Sequence, residues 1–290
     1  MKFNVTKPLN NETKKVIAIG KFESLHLGHQ EVLTQAADFA KINRQELVIL
    51  YFPNQDGYLY SQSDRESLLK RYEPTHLIEF GPIPAVFKTS REEFMKWLKD
   101  SSIFTIFVGK DYKIKPKNTD DLEVLAENFN LHTIPTVRKG KTKISSTLIK
   151  TMLSNGEVSA IRKISGFNYF YKGIVVLGER RGKTLGFPTI NIEVDKTLTL
   201  PKQGIYASYV SIDGKRHESV TSISTNPTFT DSDIVKFETH ILNFDEDIYG
   251  KTAYIELVEL IRDPKTFSSN EKLIKEINKD ITKTKEILIK

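Results

Sequence analysis

The spacing of the hydrophobic residues changes near residue 160, and this change restricts the chain to two differently built domains. Before that point, short apolar runs alternate with stretches of helical period, which favours a doubly wound parallel sheet. The apolar runs are Val16–Gly20, Glu46–Phe52, His76–Phe80 and Ile103–Gly109, and the helical stretches lie around 65–71, 91–99 and 119–129. Residues 1–160 are therefore predicted to form an α/β domain.

Beyond residue 160 the apolar residues alternate with polar ones at a period of two. The β-rich segments are Tyr171–Leu177, Ile205–Ile212, Ser219–Ser224, Val235–Leu242 and Ala253–Leu260. Their short lengths, with no long helical pattern between them, favour a small antiparallel β-barrel. Leu273, Ile277 and Ile281 then form an apolar stripe with helical spacing, so a terminal helix is expected to pack against the barrel over residues 161–290.

The composition limits the classes of site and partner. With 39% hydrophobic and 28% charged residues in 290, the chain is typical of a folded protein. It has no cysteine, which excludes disulfides and thiolate metal sites. No run approaches the ~18 apolar residues that span a bilayer, and the start lacks a signal-peptide core, so a cytoplasmic protein without membrane contact is expected. The net charge of +6 is dispersed, so nucleic acid is not an expected partner, and a monomer is expected.

Two histidines follow the first apolar run, where the predicted strand turns into a helix. A helix N-terminus offers free N–H groups and a positive dipole end, which favour phosphate. We interpret the turn as a nucleotide-phosphate site formed by Gly20, Phe22, His26, Gly28 and His29. The alternatives are a surface turn with two solvated histidines, or a metal pair whose other ligands are missing.

Two later segments are predicted to reach the same phosphate. Asp111 follows the strand that ends at Gly109, and parallel sheets bind ligands at the carboxyl ends of their strands. A cap of the following turn explains Asp111 equally well. Near the end of the α/β half, hydroxyl groups begin a helix and a cation follows one turn later; these residues are Ser145, Ser146, Thr147 and Lys150. Such groups bind phosphate together, whereas their spacing alone favours a simple N-cap.

A glycine-rich stretch opens the second half of the chain. Glycines let the backbone approach an anion closely, and this stretch contains Gly178, Gly182, Lys183, Thr184 and Gly186. Thr189 and Asn191 share a face if a strand begins at Ile190, and their oxygens are hard ligands suited to Mg²⁺. Three residues separate the glycines, one fewer than in a Walker loop, and Pro188 follows instead of a helix, which excludes a P-loop. The alternative is a glycine-rich hairpin without a ligand.

The order of these residues resembles a known signature. Gly182–Asn191 is similar to that of the riboflavin kinase family, and the resemblance continues through Gly204–Tyr206, Asn226–Phe229 and Glu238–His240. The turn with His26 and His29 resembles that of nucleotidylyltransferases. Over nearly its full length the chain resembles the bacterial bifunctional riboflavin kinases and FAD synthetases. The resemblance implies two reactions: riboflavin and ATP give FMN and ADP, and then FMN and ATP give FAD and pyrophosphate.

The resemblance also implies roles for the predicted site residues. Glu238 accepts the proton of the ribityl 5′-hydroxyl, and Mg²⁺ is bound by Thr189 and Asn191 while the glycine loop holds ATP. In the first domain the two histidines hold the triphosphate, and Asp111 faces a nucleotide or flavin phosphate.

The chain also departs from the family at several positions. Glu23-Ser24 replaces Asp-Gly, Asn54 replaces a histidine, Ile114-Lys115 replaces Phe-Gly, and Lys150 replaces an arginine. The loss of a turn glycine at Ser24 is expected to distort the phosphate-binding turn. Two alternatives therefore stay open: a family member with only one activity, the N-terminal site being the weaker, and a flavin-binding or RNA-binding regulator built on an inactive enzyme.

Overall fold

A computed structural model describes residues 7–10, 12–53, 57–81, 89–113, 120–177, 185–225 and 235–289. The chain forms two compact units, Met1–Ser146 and Thr147–Lys290. Residues 147–165 belong to the second unit, whereas the change in hydrophobic period comes after them. The boundary near residue 160 stays a prediction.

The first unit is built on a five-stranded parallel sheet. Its strands are β1 (Lys15–Gly20), β2 (Glu46–Tyr51), β3 (His76–Glu79), β4 (Ile103–Gly109) and β5 (Asn130–Ile134). They lie in the order β3-β2-β1-β4-β5, and every pair is parallel. The predicted doubly wound sheet is confirmed. Because the strand order reverses between β1 and β4, the carboxyl ends of these two strands flank the topological switch point, where such sheets bind ligands.

Helices connect these strands, and a small hairpin follows them. The helices are α1 (Leu27–Asn43), α2 (Gln62–Leu69), α3 (Arg91–Asp100) and α4 (Asp121–Asn128), and the hairpin strands are β6 (Arg138–Lys139) and β7 (Thr142–Lys143). Helix α1 buries Val32, Leu33, Ala36 and Ala40, and Phe39 is half-buried. Strand β1 is buried on both faces, which is typical of a central parallel strand.

The second unit is a closed six-stranded barrel with helices at its start and end. It comprises α5 (Ser146–Asn155, whose first residue closes the first unit), α6 (Val158–Ser165), β8 (Tyr169–Val176), β9 (Ile190–Val194), β10 (Gly204–Ile212), β11 (Lys215–Thr225), β12 (Val235–Ile241), β13 (Thr252–Arg262) and α7 (Asn270–Leu288). The strands close in the order β10-β11-β12-β9-β8-β13, and every pair is antiparallel. The predicted barrel and terminal helix are confirmed.

A chain of buried hydroxyl groups fixes the register of β12 inside the barrel. The Ser208 hydroxyl lies 2.8 Å from those of Ser219 and Thr221, and Thr221 lies 2.9 Å from Thr239. All four side chains are buried, so a slip of β12 would leave hydroxyl groups without partners inside the core. Across the described residues, no helix is both long and apolar enough to cross a bilayer.

Candidate active sites

The turn after β1 is shaped by a ring packed against a glycine. A Cβ atom on Gly20 would lie 2.8 Å from the ring of Phe22, so only glycine fits there. Phe22 is 1% exposed, and its ring meets the His29 ring edge-on at 5.5 Å. The side chain of Phe22 therefore supports a histidine ring, and any contact that Phe22 makes with phosphate has to come from its backbone.

His26 caps helix α1 with its own side chain. Its Nδ1 accepts a hydrogen bond of 3.1 Å from the backbone N–H of His29, so the proton of the neutral ring lies on Nε2. The two rings stack at 3.8 Å with 16° between their planes. A Cβ atom on Gly28 would approach the His26 ring to 3.1 Å, so glycine leaves room for the folded-back ring.

Both histidines are kept neutral by their surroundings. Burial lowers the pKa of His26 to about 4, and the nearby Lys143 ammonium also lowers it. Burial lowers the pKa of His29 well below its ordinary value, and the adjacent His26 adds to the effect. The Nδ1 atom of His29 is buried and has no hydrogen-bond partner among the described residues. Because this nitrogen is buried beside the switch point, it is suited to a ligand that brings its own hydrogen-bonding group.

These observations test the two alternatives for the histidine turn. His26 is 8% exposed, so the picture of two solvated histidines on a surface turn is wrong for this residue. Within the described ranges, no group of three histidine or carboxylate side chains is placed to hold a metal ion. A phosphate site at His26 and His29 stays a prediction.

Asp111 lies just beyond the carboxyl end of β4 and already has two partners. It accepts hydrogen bonds from Lys143 Nζ at 2.5 Å and from Thr136 Oγ1 at 3.0 Å. The hydrogen bond from Lys143, supported by the one from Thr136, holds the pKa of Asp111 below its ordinary value. Lys143 was not predicted as a site residue, although it immediately precedes the Ile144–Ser146 segment. The Lys143 ammonium group donates to Asp111 and also acts electrostatically on His26.

Ser24, which stands where the family has glycine, contacts Ser146. Its hydroxyl lies 3.0 Å from that of Ser146, and it is 1% exposed. The residues with left-handed backbone are Phe22 and Leu25, with φ of 46° each, and not Ser24. The expectation that losing a glycine here distorts the turn is therefore wrong, because position 24 does not need one. Ser145 lies beside Ser146, just before helix α5 begins.

Some predicted residues are not tested by this geometry. Thr147 and Lys150 lie on helix α5 in the second unit, so their approach to the histidines stays a prediction. In the kinase stretch, Gly178, Gly182, Lys183 and Thr184 lie outside the described residues, as do Asn226–Phe229. Asn54 and Ile114-Lys115 also lie outside them.

The described part of the kinase stretch lies next to Glu238. Glu238 on β12 pairs directly with Asn191 on β9, and the inward-facing neighbours Phe237 and Ile192 pair with each other. Glu238 and Asn191 are half-buried and share the outer face of the barrel, with Cβ atoms expected about 4.5–5.5 Å apart. Gly186 and Thr189 precede β9, and Thr189 is two residues from Asn191 along the chain. The strand register thus places the predicted base, Glu238, beside the predicted metal ligand Asn191, although 47 residues separate them in the sequence.

His240 also belongs to this face, although it was not predicted as a site residue. Its Nδ1 lies 2.8 Å from the carbonyl oxygen of Pro188, and its ring meets Phe187 edge-on at 5.8 Å. Strand alternation from Glu238 was the signal that could have found it, because residues two apart share a face.

Two family models match the chain, one in each half. A FAD synthetase model matches residues 9–148 and a riboflavin kinase model matches residues 165–288. A bifunctional riboflavin kinase/FMN adenylyltransferase from Listeria monocytogenes is 29% identical, over 96% of this chain and 94% of the relative. The Bacillus subtilis protein of that description is 26% identical, over 93% and 91%.

A solved structure has the same fold over the full length. It is described as a macrolide-efflux protein from Streptococcus pneumoniae, with 27% identity, a TM-score of 0.89 and 98% of each chain covered. The two family models lie one after the other on the chain, and the relatives match it across both of them. The chain therefore belongs to the family of bifunctional riboflavin kinases and FMN adenylyltransferases.

Proposed function

We propose that this protein makes FMN from riboflavin and ATP in its barrel, and FAD from FMN and ATP in its α/β unit. Membership of both domains in their families supports the two activities. The observation that carries the kinase assignment is the direct pairing of Glu238 with Asn191 on neighbouring strands. A regulator that only binds flavin has no need of a carboxylate base beside a metal ligand.

In the kinase reaction, Glu238 accepts the proton of the ribityl 5′-hydroxyl while the hydroxyl oxygen attacks the γ-phosphorus of ATP, and ADP leaves. The hydroxyl of Thr189 and the amide oxygen of Asn191 fit a hard divalent cation, and these residues would hold Mg²⁺. Bound there, Mg²⁺ supplies charge neutralisation at the phosphates of ATP.

In the adenylyl transfer, the phosphate of FMN is already a nucleophile. One of its oxygens attacks the α-phosphorus of ATP, the bond to the β-phosphate oxygen breaks, and pyrophosphate leaves, so no side chain has to remove a proton. The work of the protein is to bind and orient the triphosphate. The Nε2–H of His26, the helix N-terminus behind it and the charge of Lys143 are suited to this.

Product analysis tests the proposal. The pure protein is incubated with riboflavin, ATP and Mg²⁺, and separately with FMN, ATP and Mg²⁺, and the flavins are chromatographed. We expect FMN followed by FAD in the first mixture and FAD in the second. Binding of flavin without either product would contradict the proposal, and a single product would support the family member with one activity.

A variant then tests the role of Glu238. Glu238→Gln is expected to slow FMN formation by a factor of about 10²–10⁴, because the amide cannot accept the proton. Its synthesis of FAD from supplied FMN is expected to stay at the wild-type rate. The matched control is Glu218→Gln, an exposed glutamate on β11 in the same barrel. Unchanged FMN formation in Glu238→Gln would exclude the role of base.

We place the enzyme in the cytoplasm, where ATP is available to both reactions. Its substrates and products are small molecules, namely riboflavin, FMN, FAD, ATP, ADP and pyrophosphate. We still predict that the protein is a monomer and that it does not bind nucleic acid.

A further inference from the structure

The main-chain pairing of β9 with β12 ends one residue short of Thr189. The paired residues are Ile192 with Phe237, Asn191 with Glu238, and Ile190 with Thr239. Thr189, the proposed metal ligand, is therefore the first residue beyond this ladder. Its hydroxyl has to be placed within a few tenths of an ångström to be a useful ligand, so the turn before it needs a second attachment.

The side chain of His240 provides this attachment. Its Nδ1 lies 2.8 Å from the carbonyl oxygen of Pro188, the residue immediately before Thr189. A carbonyl oxygen only accepts hydrogen bonds, so Nδ1 must carry the proton and donate it. Proline has no N–H, so its carbonyl is the one polar group by which its backbone can be held. The edge-on contact of the ring with Phe187, at 5.8 Å, holds the same turn from a second side.

The barrel core does not require a histidine at this position. On β12 the buried side chains are Phe237, Thr239 and Ile241, whereas Glu238 and His240 are only half-buried and share the other face. Strand β12 thus presents the proposed base and the attachment of the facing turn two residues apart. A displacement of β12 would move Glu238 and His240 together. Because His240 holds the turn before Thr189, the position of Thr189 relative to Glu238 would stay constant.

We propose that His240 is a positioning residue of the kinase. Its Nδ1–H holds the Pro188 carbonyl, and through it keeps the Thr189 hydroxyl beside Asn191 and Glu238. The proposal rests on the proposed kinase function. His240 acts through the turn and does not contact the reacting atoms. When the hydrogen bond is lost, the turn loses one of its attachments, and a misplacement of about 1 Å is enough to slow a reaction by about 10²-fold.

Three substitutions separate the hydrogen bond from the bulk of the ring. In His240→Asn the amide N–H group lies close to the place of Nδ1, in His240→Gln it reaches further, towards the place of Nε2, and in His240→Ala it is absent. We expect the kcat of FMN formation to fall at least about tenfold in the Gln and Ala variants and to stay within about threefold of wild type in the Asn variant. The Mg²⁺ concentration for half-maximal rate is expected to rise in the first two variants, with a smaller change in the KM for riboflavin. Equal losses in all three variants would overturn the proposal.

A second readout does not depend on activity. Amide hydrogen exchange of Phe187 and of residues 189–191, without ligands, is expected to be faster in His240→Gln and His240→Ala and unchanged in His240→Asn. Synthesis of FAD from supplied FMN checks that each variant is folded. If the wild-type protein makes no FMN, the proposed function fails, whereas hydrogen exchange still tests the attachment. Equal exchange in the wild type and all variants would overturn the attachment itself.

Discussion

Replacement of His26 by asparagine is expected to remove a defined part of the acid sensitivity of the first unit. Asparagine is a strong N-cap residue, so His26→Asn keeps an acceptor for the backbone N–H of His29. It cannot titrate, whereas the buried imidazole of the wild type can. The difference between the two proteins therefore reports the proton linked to His26, together with the change that the loss of His26 makes to the pKa of the stacked His29.

The size and sign of the pH-dependent change in unfolding free energy follow from the pKa of His26, which burial lowers to about 4 from 6.5. Above pH 6.5 the ring is neutral in both the folded and the unfolded chain, so the full stability is present. As the pH falls from 6.5 towards 4, only the unfolded chain takes up the proton, and stability is lost across this window. The difference of about 2.5 pKa units corresponds to about 3 kcal/mol in the acid limit, and to about 2 kcal/mol at pH 5.

The only tryptophan of the chain reports on this unit. Trp97 is buried in the core of the first unit, so its fluorescence follows the unfolding of that unit in urea. Between pH 7.5 and pH 5, the wild type is expected to lose about 2 kcal/mol more of unfolding free energy than His26→Asn. A separate check is the ring signal of His26 in an NMR titration, with a midpoint near 4. Equal losses in the two proteins, or a midpoint near 6.5, would refute the idea of a buried neutral ring.

Two other predictions concern Ser24 and the terminal helix. Ser24→Gly removes the hydroxyl partner of Ser146, so the KM for ATP in FAD synthesis is expected to rise about fivefold. Ser146→Ala is expected to raise this KM by the same factor. Additive increases of the KM in the double variant would show that the two hydroxyl groups act independently. Asp280→Asn breaks the bidentate contact of a largely buried carboxylate with Arg262 and is expected to cost the barrel about 3 kcal/mol in denaturant unfolding followed by circular dichroism. The exposed Asp263→Asn is the control, and a similar small loss in both variants would contradict the role of the buried pair.

Hydrophobic period was sufficient to predict the two architectures. A parallel strand such as β1 is buried on both faces and reads as a continuous apolar run, whereas the barrel strands bury every second residue. The edge strand β5 and the hairpin strands β6 and β7 were not predicted. Asn130–Ile134 is only partly buried and the hairpin is exposed, so neither carries a strong apolar pattern.

The site residues divide in the same way. Gly20, His26, Gly28 and His29 follow from one continuous motif, because a helix N-terminus and its cap are local structures. Sequence reasoning expected strain at Ser24 because it compared residue types at one position. In the structure the left-handed residues of this turn are Phe22 and Leu25, and the Ser24 hydroxyl has a partner 122 residues later in the chain.

The amino-acid sequence by itself predicted the two folds and the histidine turn, since each depends on neighbours within a few residues, and the family resemblance pointed to Glu238 as the candidate base. Only the tertiary structure decided that Glu238 faces Asn191, and that His240 holds Pro188 from 52 residues away. The physical reason is that strand register is set by packing inside the closed barrel, where the buried hydroxyl groups and apolar side chains of several strands have to fit together at once.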